Sequence, residues 1–427
     1  MYESAFLIAI ALVVVLIGIY KNRSFASFYS IYSSCYWLVM FFGVIVYINL
    51  YINYQFKPLE FTIINETLLL SLLGLLFFNL AYFFRLPIKF RVKGVKVSKL
   101  TVRYFSVLCL CFSGLAVLGF VVKNGGLVLL KGNGYEDRLT SNLGAGMFTI
   151  FFPLFIPAYA MLLLIEPSKR QWIKYFASGL IFGFLTFLAI GGARMNLAIF
   201  ICVFLIIGYV LKYIKLKTLI LSPFVVMILM TVLVYFRESD NGNQNSFFFW
   251  IYLMNSFSPF DSFYHIYNYY NEGGLIPGLS VVWQQFYLLM PRFIFEDKPE
   301  VIMNVGNFFT KEILGFQSNL TMSPTINGSF ILVAGKFGLF LGSFFIGKLV
   351  FFLDSIFYYG GLKRIVMEDI NPKSCLMAGG YSFYILYMFN LVRESLDIFL
   401  VARVIIPSVI FMFIFIISYL LAMAQSD

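Results

Sequence analysis

Apolar stretches of membrane-spanning length dominate this chain of 427 residues. They fall at about residues 4–20, 31–52, 67–84, 104–122, 146–165, 175–191, 194–211, 218–236, 329–350, 376–392 and 398–420. A spanning helix takes roughly 20 mostly apolar residues, because it rises about 1.5 Å per residue across a hydrocarbon layer about 30 Å thick. Inside that layer each backbone N–H and C=O must be satisfied within the protein, and long continuous apolar runs do this as helices. Composition agrees. Hydrophobic residues make up 61% of the chain and charged residues 12%, against ~45–50% and ~25% in soluble domains. Disorder and nearly every water-soluble fold are excluded. The expected fold class is an all-α polytopic membrane protein with about eleven transmembrane helices, within a range of ten to twelve.

The charges sort by side of the membrane. Net charge is +11, from 31 Lys and Arg against 20 Asp and Glu. If eleven helices alternate, one side collects Lys21 and Arg23, the cluster from Arg85 to Arg103, Lys169, Arg170 and Lys174, Lys212 to Lys217, and Lys363, Arg364 and Lys373. Basic loops mark the cytoplasmic side and meet anionic lipid there. The amino terminus is then outside and the carboxyl terminus cytoplasmic, and no nucleic-acid partner is needed to explain the charge. The start, MYESAFLIAIALVVVLIGIY, has no basic stretch ahead of its apolar run. It reads as a first membrane helix and not as a cleaved leader. Cys35, Cys109, Cys111, Cys202 and Cys375 mostly fall in apolar segments, which argues against a disulfide-stapled external domain.

One connection stands apart. Residues 237–328 hold eight acids and four bases, Arg237, Arg292, Lys298 and Lys311, on the expected outer side. A connection this long is usually functional. The stretches WIYLMNSFSPFDSFYHIYNYY and LSVVWQQFYLLMPRFIF are rich in anchoring aromatics and read as amphipathic helices at the outer membrane surface, the run from Ser246 to Tyr270 as interfacial or re-entrant. Residues 1–236 are then a first block of eight transmembrane helices, 237–328 a large outer loop, and 329–427 a block of three more helices. A shorter outer loop, 123–145, carries glycine turns and the charged group from Tyr135 to Leu139. No internal repeat of the kind found in paired-half transporters is visible.

The chemistry narrows by what is missing. There is a single histidine, His265, and no zinc-type cysteine spacing, phosphate-binding loop or dinucleotide fingerprint. No metal and no cofactor are expected. What remains is a small set of arginines on the side where few bases are expected: Arg138, Arg194, Arg292 and Arg393. Arginine presents a rigid fork of donors matched to phosphate oxygens, and four of them around one outer cavity would form a pyrophosphate clamp. The plainer reading pairs each with a nearby acid: Arg393 with Glu394 or Asp397, Arg138 with Glu136 or Asp137, Arg292 with Glu296. Arg194 has no acid close in sequence.

The segment Pro291-Arg292-Phe293-Ile294-Phe295-Glu296-Asp297-Lys298-Pro299 resembles the Pro-Arg to Asp-Lys-Pro stretch of bacterial oligosaccharide repeat-unit polymerases, the O-antigen or capsule polymerases of Wzy type. Gly192-Ala193-Arg194 resembles their Gly-x-Arg in a middle helix pair, Phe337-Gly338-Leu339-Phe340-Leu341-Gly342 loosely resembles their Phe-Gly-x-x-Gly helix, and Arg393 matches an arginine late in the chain. Ser329 stands where many relatives place an acid. The resemblance implies glycosyl transfer between undecaprenyl-pyrophosphate-linked repeat units at the outer face of the bacterial inner membrane, as in O-antigen, lipopolysaccharide or capsule synthesis. A flippase and a chain-length regulator are the implied partners. It implies Arg194, Arg292 and Arg393 as the phosphate-contacting set, assisted by Lys298 and Arg138, with Asp261, His265, Glu272, Glu296 or Asp297 as the acceptor base. The fold is expected by analogy to resemble membrane glycosyltransferases of C type. Two other readings stay open: an O-antigen ligase using His265, and a lipid-linked oligosaccharide flippase or other polysaccharide transporter. Against transport, the candidate charges gather at one membrane face, with Lys336 the main exception.

Overall fold

The structure is a computed structural model. It describes the chain except residues 56–58, 85–96, 132–140, 142–144, 193, 239–245, 288–302, 317–320, 367–370, 386 and 426–427. Among the described residues all regular elements are helical. In chain order they begin with α1 (Tyr2–Asn22), α2 (Phe28–Trp37), α3 (Gly43–Tyr54), α4 (Phe61–Phe83) and α5 (Lys99–Lys123). Then come α6 (Gly146–Phe151), α7 (Phe155–Ile165), α8 (Lys169–Ala189), α9 (Met195–Val210) and α10 (Leu216–Glu238). The long connection contributes α11 (Ser246–Phe257), α12 (Phe260–Asn271), α13 (Ser280–Phe286) and α14 (Val305–Phe308). The last part holds α15 (Thr325–Leu353), α16 (Lys363–Val366), α17 (Pro372–Tyr384), α18 (Tyr387–Arg393), α19 (Leu396–Ile398) and α20 (Ile406–Ala424).

Local signals set these boundaries. Ser27, Ser98 and Ser168 accept the N–H three residues on, at 3.1, 3.0 and 3.2 Å, and so start α2, α5 and α8. Asn371 and Ser374 form a reciprocal capping box, with Pro372 at the first position of α17. Arg23 closes α1 in the left-handed region at φ 56°. Gly191 and Gly192, at φ 68° and 89°, close α8, and the Gly192 N–H returns 2.9 Å to the Phe187 carbonyl. Among the described residues, nine helices are long and apolar enough to cross a membrane, and two shorter apolar helices lie at Met195–Val210 and Leu216–Val226. The chain is an all-α polytopic membrane protein. The second span runs through a π-helical turn at Leu38–Phe42, which joins α2 to α3.

Contacts divide the chain into two compact units, each assembled from three stretches. The first comprises Met1–Lys89, Ser246–Phe352 and Tyr387–Ser408. Its centre is an aromatic stripe on α2: Tyr29, Tyr32 and Tyr36 are all buried. Tyr32 stacks on Phe78 of α4 at 4.4 Å between ring centroids. The Tyr36 hydroxyl donates to the Ser71 carbonyl at 2.9 Å and accepts from the Asn327 amide at 2.8 Å. Asn327 also reaches Ser71 Oγ at 3.1 Å, so α2, α4 and α15 share one satisfied polar knot. Lipid offers no hydrophobic drive between helices, so association rests on close packing and on such bonds. Gly347 shows the closeness: a Cβ there would meet the Phe78 carbonyl oxygen at 2.5 Å.

The second unit comprises Phe90–Asn245, Leu353–Leu386 and Val409–Asp427. Here α5 packs on α7, and α7 on α17. Phe176, Phe200 and Phe204 form an aromatic ladder between α8 and α9, with Phe155 of α7 against Phe200 at 5.5 Å. Gly379 on α17 brings its backbone against Met161, where a Cβ would meet sulfur at 2.4 Å.

Candidate functional site

The long connection folds inward in the first unit. On α12 the residues Phe260, Phe263, Tyr264, Ile266 and Tyr267 are buried, and the helix packs on α4 and on the turns at Leu38–Phe42 and Phe309–Ile313. Two polar stripes run along it. Tyr264, Tyr267 and Asn271, at helical spacing, meet α4: the Tyr264 hydroxyl accepts the Glu60 N–H at 3.2 Å, and Tyr267 and Asn271 donate to Glu66 Oε2 at 2.8 and 3.4 Å. About 90° around the helix run Asp261, His265, Asn268 and Glu272, which share a neighbouring face.

That second stripe gathers three of the candidate bases. Asp261 lies in the first turn of α12 and accepts the Ser262 N–H at 3.0 Å. Desolvation pushes its carboxyl pKa up, against the lowering effects of His265 and the Ser262 N–H. His265 is half-buried and lies edge-on to Tyr264, ring centroids 5.3 Å apart. Glu272 is exposed at the helix end and accepts the Asn268 amide at 2.7 Å.

Arg393 ends α18 at a tight turn in the same unit. The Glu394 carboxylate beside it lies within electrostatic reach of its guanidinium. Glu394 takes a two-point bond from Arg403, Nε to Oε2 at 3.3 Å and Nη2 to Oε1 at 3.0 Å. Asp397 is buried, and its Oδ2 accepts the Val305 N–H at 3.2 Å. On the other side of the 288–302 stretch, α13 packs on α19, with Gln285 buried. Both described flanks of the Pro-Arg to Lys-Pro segment therefore rest on the Arg393 turn.

Arg194 belongs to the second unit. It is half-buried and stands at the amino end of α9, directly after the glycine turn that closes α8, and its carbonyl accepts the Ala198 N–H at 3.0 Å. Arg138, Arg292, Lys298, Glu296 and Asp297 lie outside the described residues.

Sequence reasoning passed over Glu66. It sits in the second turn of an apolar helix, and an acid inside a spanning segment is costly enough to mark a functional position. That was the available signal. Its partner across Tyr267 is Lys336, whose ammonium lies over the Tyr267 ring, 5.2 Å from its centroid. Lys336 directly follows a break in α15, where Ala334 (φ −153°, ψ 30°) and Gly335 (φ 62°, ψ −156°) leave helical geometry. The Leu332 carbonyl next to the break is taken by the Gly278 N–H at 3.2 Å. Non-helical backbone at membrane depth persists where protein or a water-lined cavity receives it. Among the described residues no group of three or more His, Cys, Asp or Glu stands close enough to hold a metal ion.

These features define a polytopic membrane protein whose first unit sets carboxylate, tyrosine, amide and arginine groups among apolar helices and the connection packed against them. The chain belongs to the family described as WzyE protein, O-antigen assembly polymerase, whose model matches residues 3–425. It is a Wzy-type polymerase family member, acting on lipid-linked glycan repeats in a membrane. No solved structure gives a significant match.

Proposed function

We propose that this protein polymerises undecaprenyl-pyrophosphate-linked oligosaccharide repeat units at the outer face of the inner membrane. The family match over nearly the whole chain carries the reading. In the proposed step, a hydroxyl of the acceptor repeat unit attacks the anomeric carbon of the donor glycan. A new C–O bond forms, and the bond from that carbon to the pyrophosphate oxygen breaks with its electron pair on the leaving group. The hydroxyl proton passes to a base on the α12 stripe, with Asp261, His265 and Glu272 as candidates. Charge grows on the pyrophosphate as the bond breaks, so arginine donors fixed in place stabilise the transition state more than the ground state.

Arg194, Arg292 and Arg393 are the proposed phosphate contacts, with Lys298 and Arg138 assisting. The flanks of the 288–302 stretch support the link between Arg292 and Arg393. Arg292 is five residues from Tyr287, a reach of at most about 18 Å even fully extended. The count of eleven spans, with the amino terminus outside and the carboxyl terminus cytoplasmic, belongs to the same proposal. So does dependence on a flippase that delivers substrate and a regulator that sets chain length.

The test is a gel of surface glycan from cells lacking the chain, complemented with wild type or with Arg194→Ala, Arg292→Ala or Arg393→Ala at equal abundance. Wild type should restore the long ladder and each variant should leave single repeat units. Normal ladders in all three variants would remove the clamp.

A further inference from the structure

We propose that Glu66, Tyr267, Asn271 and Lys336 form a subsite for the acceptor sugar, built around the break in α15. The inference rests on the polymerase reading and adds a binding role for residues that reading leaves unused. The groups form a relay. The Lys336 ammonium lies over the Tyr267 ring at 5.2 Å, and the phenol donates to Glu66 Oε2 at 2.8 Å, where Asn271 also donates at 3.4 Å. Among the described residues Glu66 Oε1 accepts no hydrogen bond, and no Glu66–Lys336 ion pair forms. Both side chains are exposed. A purely structural pair in an apolar segment would close on itself and hide its charges. This one is held apart by a phenol and leaves one oxygen free to accept.

The chemistry of the cluster selects the ligand class. A sugar presents hydroxyls that both donate and accept, and apolar ring faces that stack on aromatics. Glu66 Oε1 offers an acceptor, Lys336 and Asn271 offer donors, and the half-buried Tyr270 offers a ring. The formal charge of the cluster sums to zero. A pyrophosphate would meet the Glu66 carboxylate and be repelled, so the arginine set and this cluster divide the substrate between them.

The scaffold is preorganised. Gly335 holds a backbone conformation that side-chain-bearing residues rarely adopt, and a Cβ there would meet the Tyr270 hydroxyl at 2.8 Å. Gly278 caps the freed Leu332 carbonyl from the turn that follows α12. Helix α12 and that turn therefore both close on the break, fixing the four side chains on three rigid elements.

The experiment uses the full-length protein purified in nanodiscs. The probe is the repeat-unit oligosaccharide released by mild acid from carrier lipid that accumulates in cells lacking the chain. It carries no pyrophosphate. Wild type should bind it in saturation-transfer NMR and titration. Glu66→Gln and Tyr267→Phe should each weaken binding about 10-fold or more, the loss expected for a hydrogen bond to a charged group. Arg393→Ala should leave oligosaccharide binding within about 2-fold and still abolish polymer. Tyr267→Phe keeps the ring and removes one hydroxyl, so it carries the test should Glu66→Gln fail to fold. Wild-type polymer together with unchanged oligosaccharide binding in Tyr267→Phe and in folded Glu66→Gln would overturn the subsite alone. A wild-type protein that neither polymerises nor binds the oligosaccharide would overturn the polymerase reading and the subsite with it.

Discussion

Substituting Gly335 by alanine tests whether the break in α15 depends on glycine. At φ 62° and ψ −156° the backbone lies in a region populated essentially by glycine. Forcing an L residue there costs on the order of 1–3 kcal/mol. The added Cβ would also come 2.8 Å from the Tyr270 hydroxyl and 3.3 Å from ring carbons. That contact is with the far end of a side chain, which can turn aside, so the backbone should account for most of the loss. Gly335→Ala should therefore lower stability by about 2–3 kcal/mol. Gly114 is the control. It lies within α5 and a Cβ there meets nothing within 4 Å. Gly114→Ala should stabilise by about 0.5–1 kcal/mol, because helical glycine loses more backbone entropy than alanine. The assay is unfolding in a detergent titration, followed by tryptophan fluorescence. The double variant Gly335→Ala with Tyr270→Phe should recover only the contact share and remain clearly destabilised. A Gly335→Ala protein as stable as wild type would refute the reasoning, as would full recovery in the double variant.

Three further outcomes follow from other parts of the structure. Glu394→Gln should cost about 2–3 kcal/mol by stranding the partly buried Arg403, and pairing it with Arg403→Met should recover part of that in a double-mutant cycle. Additive losses would show that the pair contributes little. Asp261 has a folded pKa raised above its ordinary value of 3.8, so the stability linked to its proton is full at low pH and is lost as pH rises through the folded pKa. Asp261→Asn should therefore melt higher than wild type at neutral pH, with the gap closing as pH falls towards 4; a constant gap would contradict the burial argument. In a cysteine-free background, a cysteine at the exposed Leu275 should react with an impermeant maleimide added outside cells, and one at Lys96 should not. The reverse pattern would sink the proposed orientation.

The spans were legible because lipid leaves the backbone one economical solution, and long apolar runs declare it. The glycine turn before Arg194 was legible for a similar local reason, since Gly191 and Gly192 supply the positive φ that ends α8. The break in α15 was not. No proline marks it, and the sequence around Ala334-Gly335 reads as one apolar helix. What opens it is tertiary: Tyr270 and Gly278 arrive from the connecting segment and receive the freed backbone. The same holds for Glu394. Besides its neighbour Arg393, it meets Arg403 in a two-point bond nine residues on, across the Arg393–Leu396 turn, which spacing along one helix does not announce. The aromatics of α12 read as interfacial or re-entrant and do not show which partners it packs on. Its burial follows from Tyr264, Tyr267 and Asn271 finding Glu60 and Glu66 on α4, a match invisible along one segment. Glu66 was the missed signal that sequence alone could have supplied, as an acid inside an apolar run.

The central claim is that this chain joins lipid-linked repeat units. The most direct measurement uses purified protein in nanodiscs, mixed with carrier-linked repeat units extracted from cells lacking the chain, with products resolved by length on a gel. The expected result is a ladder of carrier-linked glycan that grows with time and is absent with Arg393→Ala. Single repeat units persisting unchanged with wild-type protein, or glycan moved intact to another lipid acceptor, would contradict it.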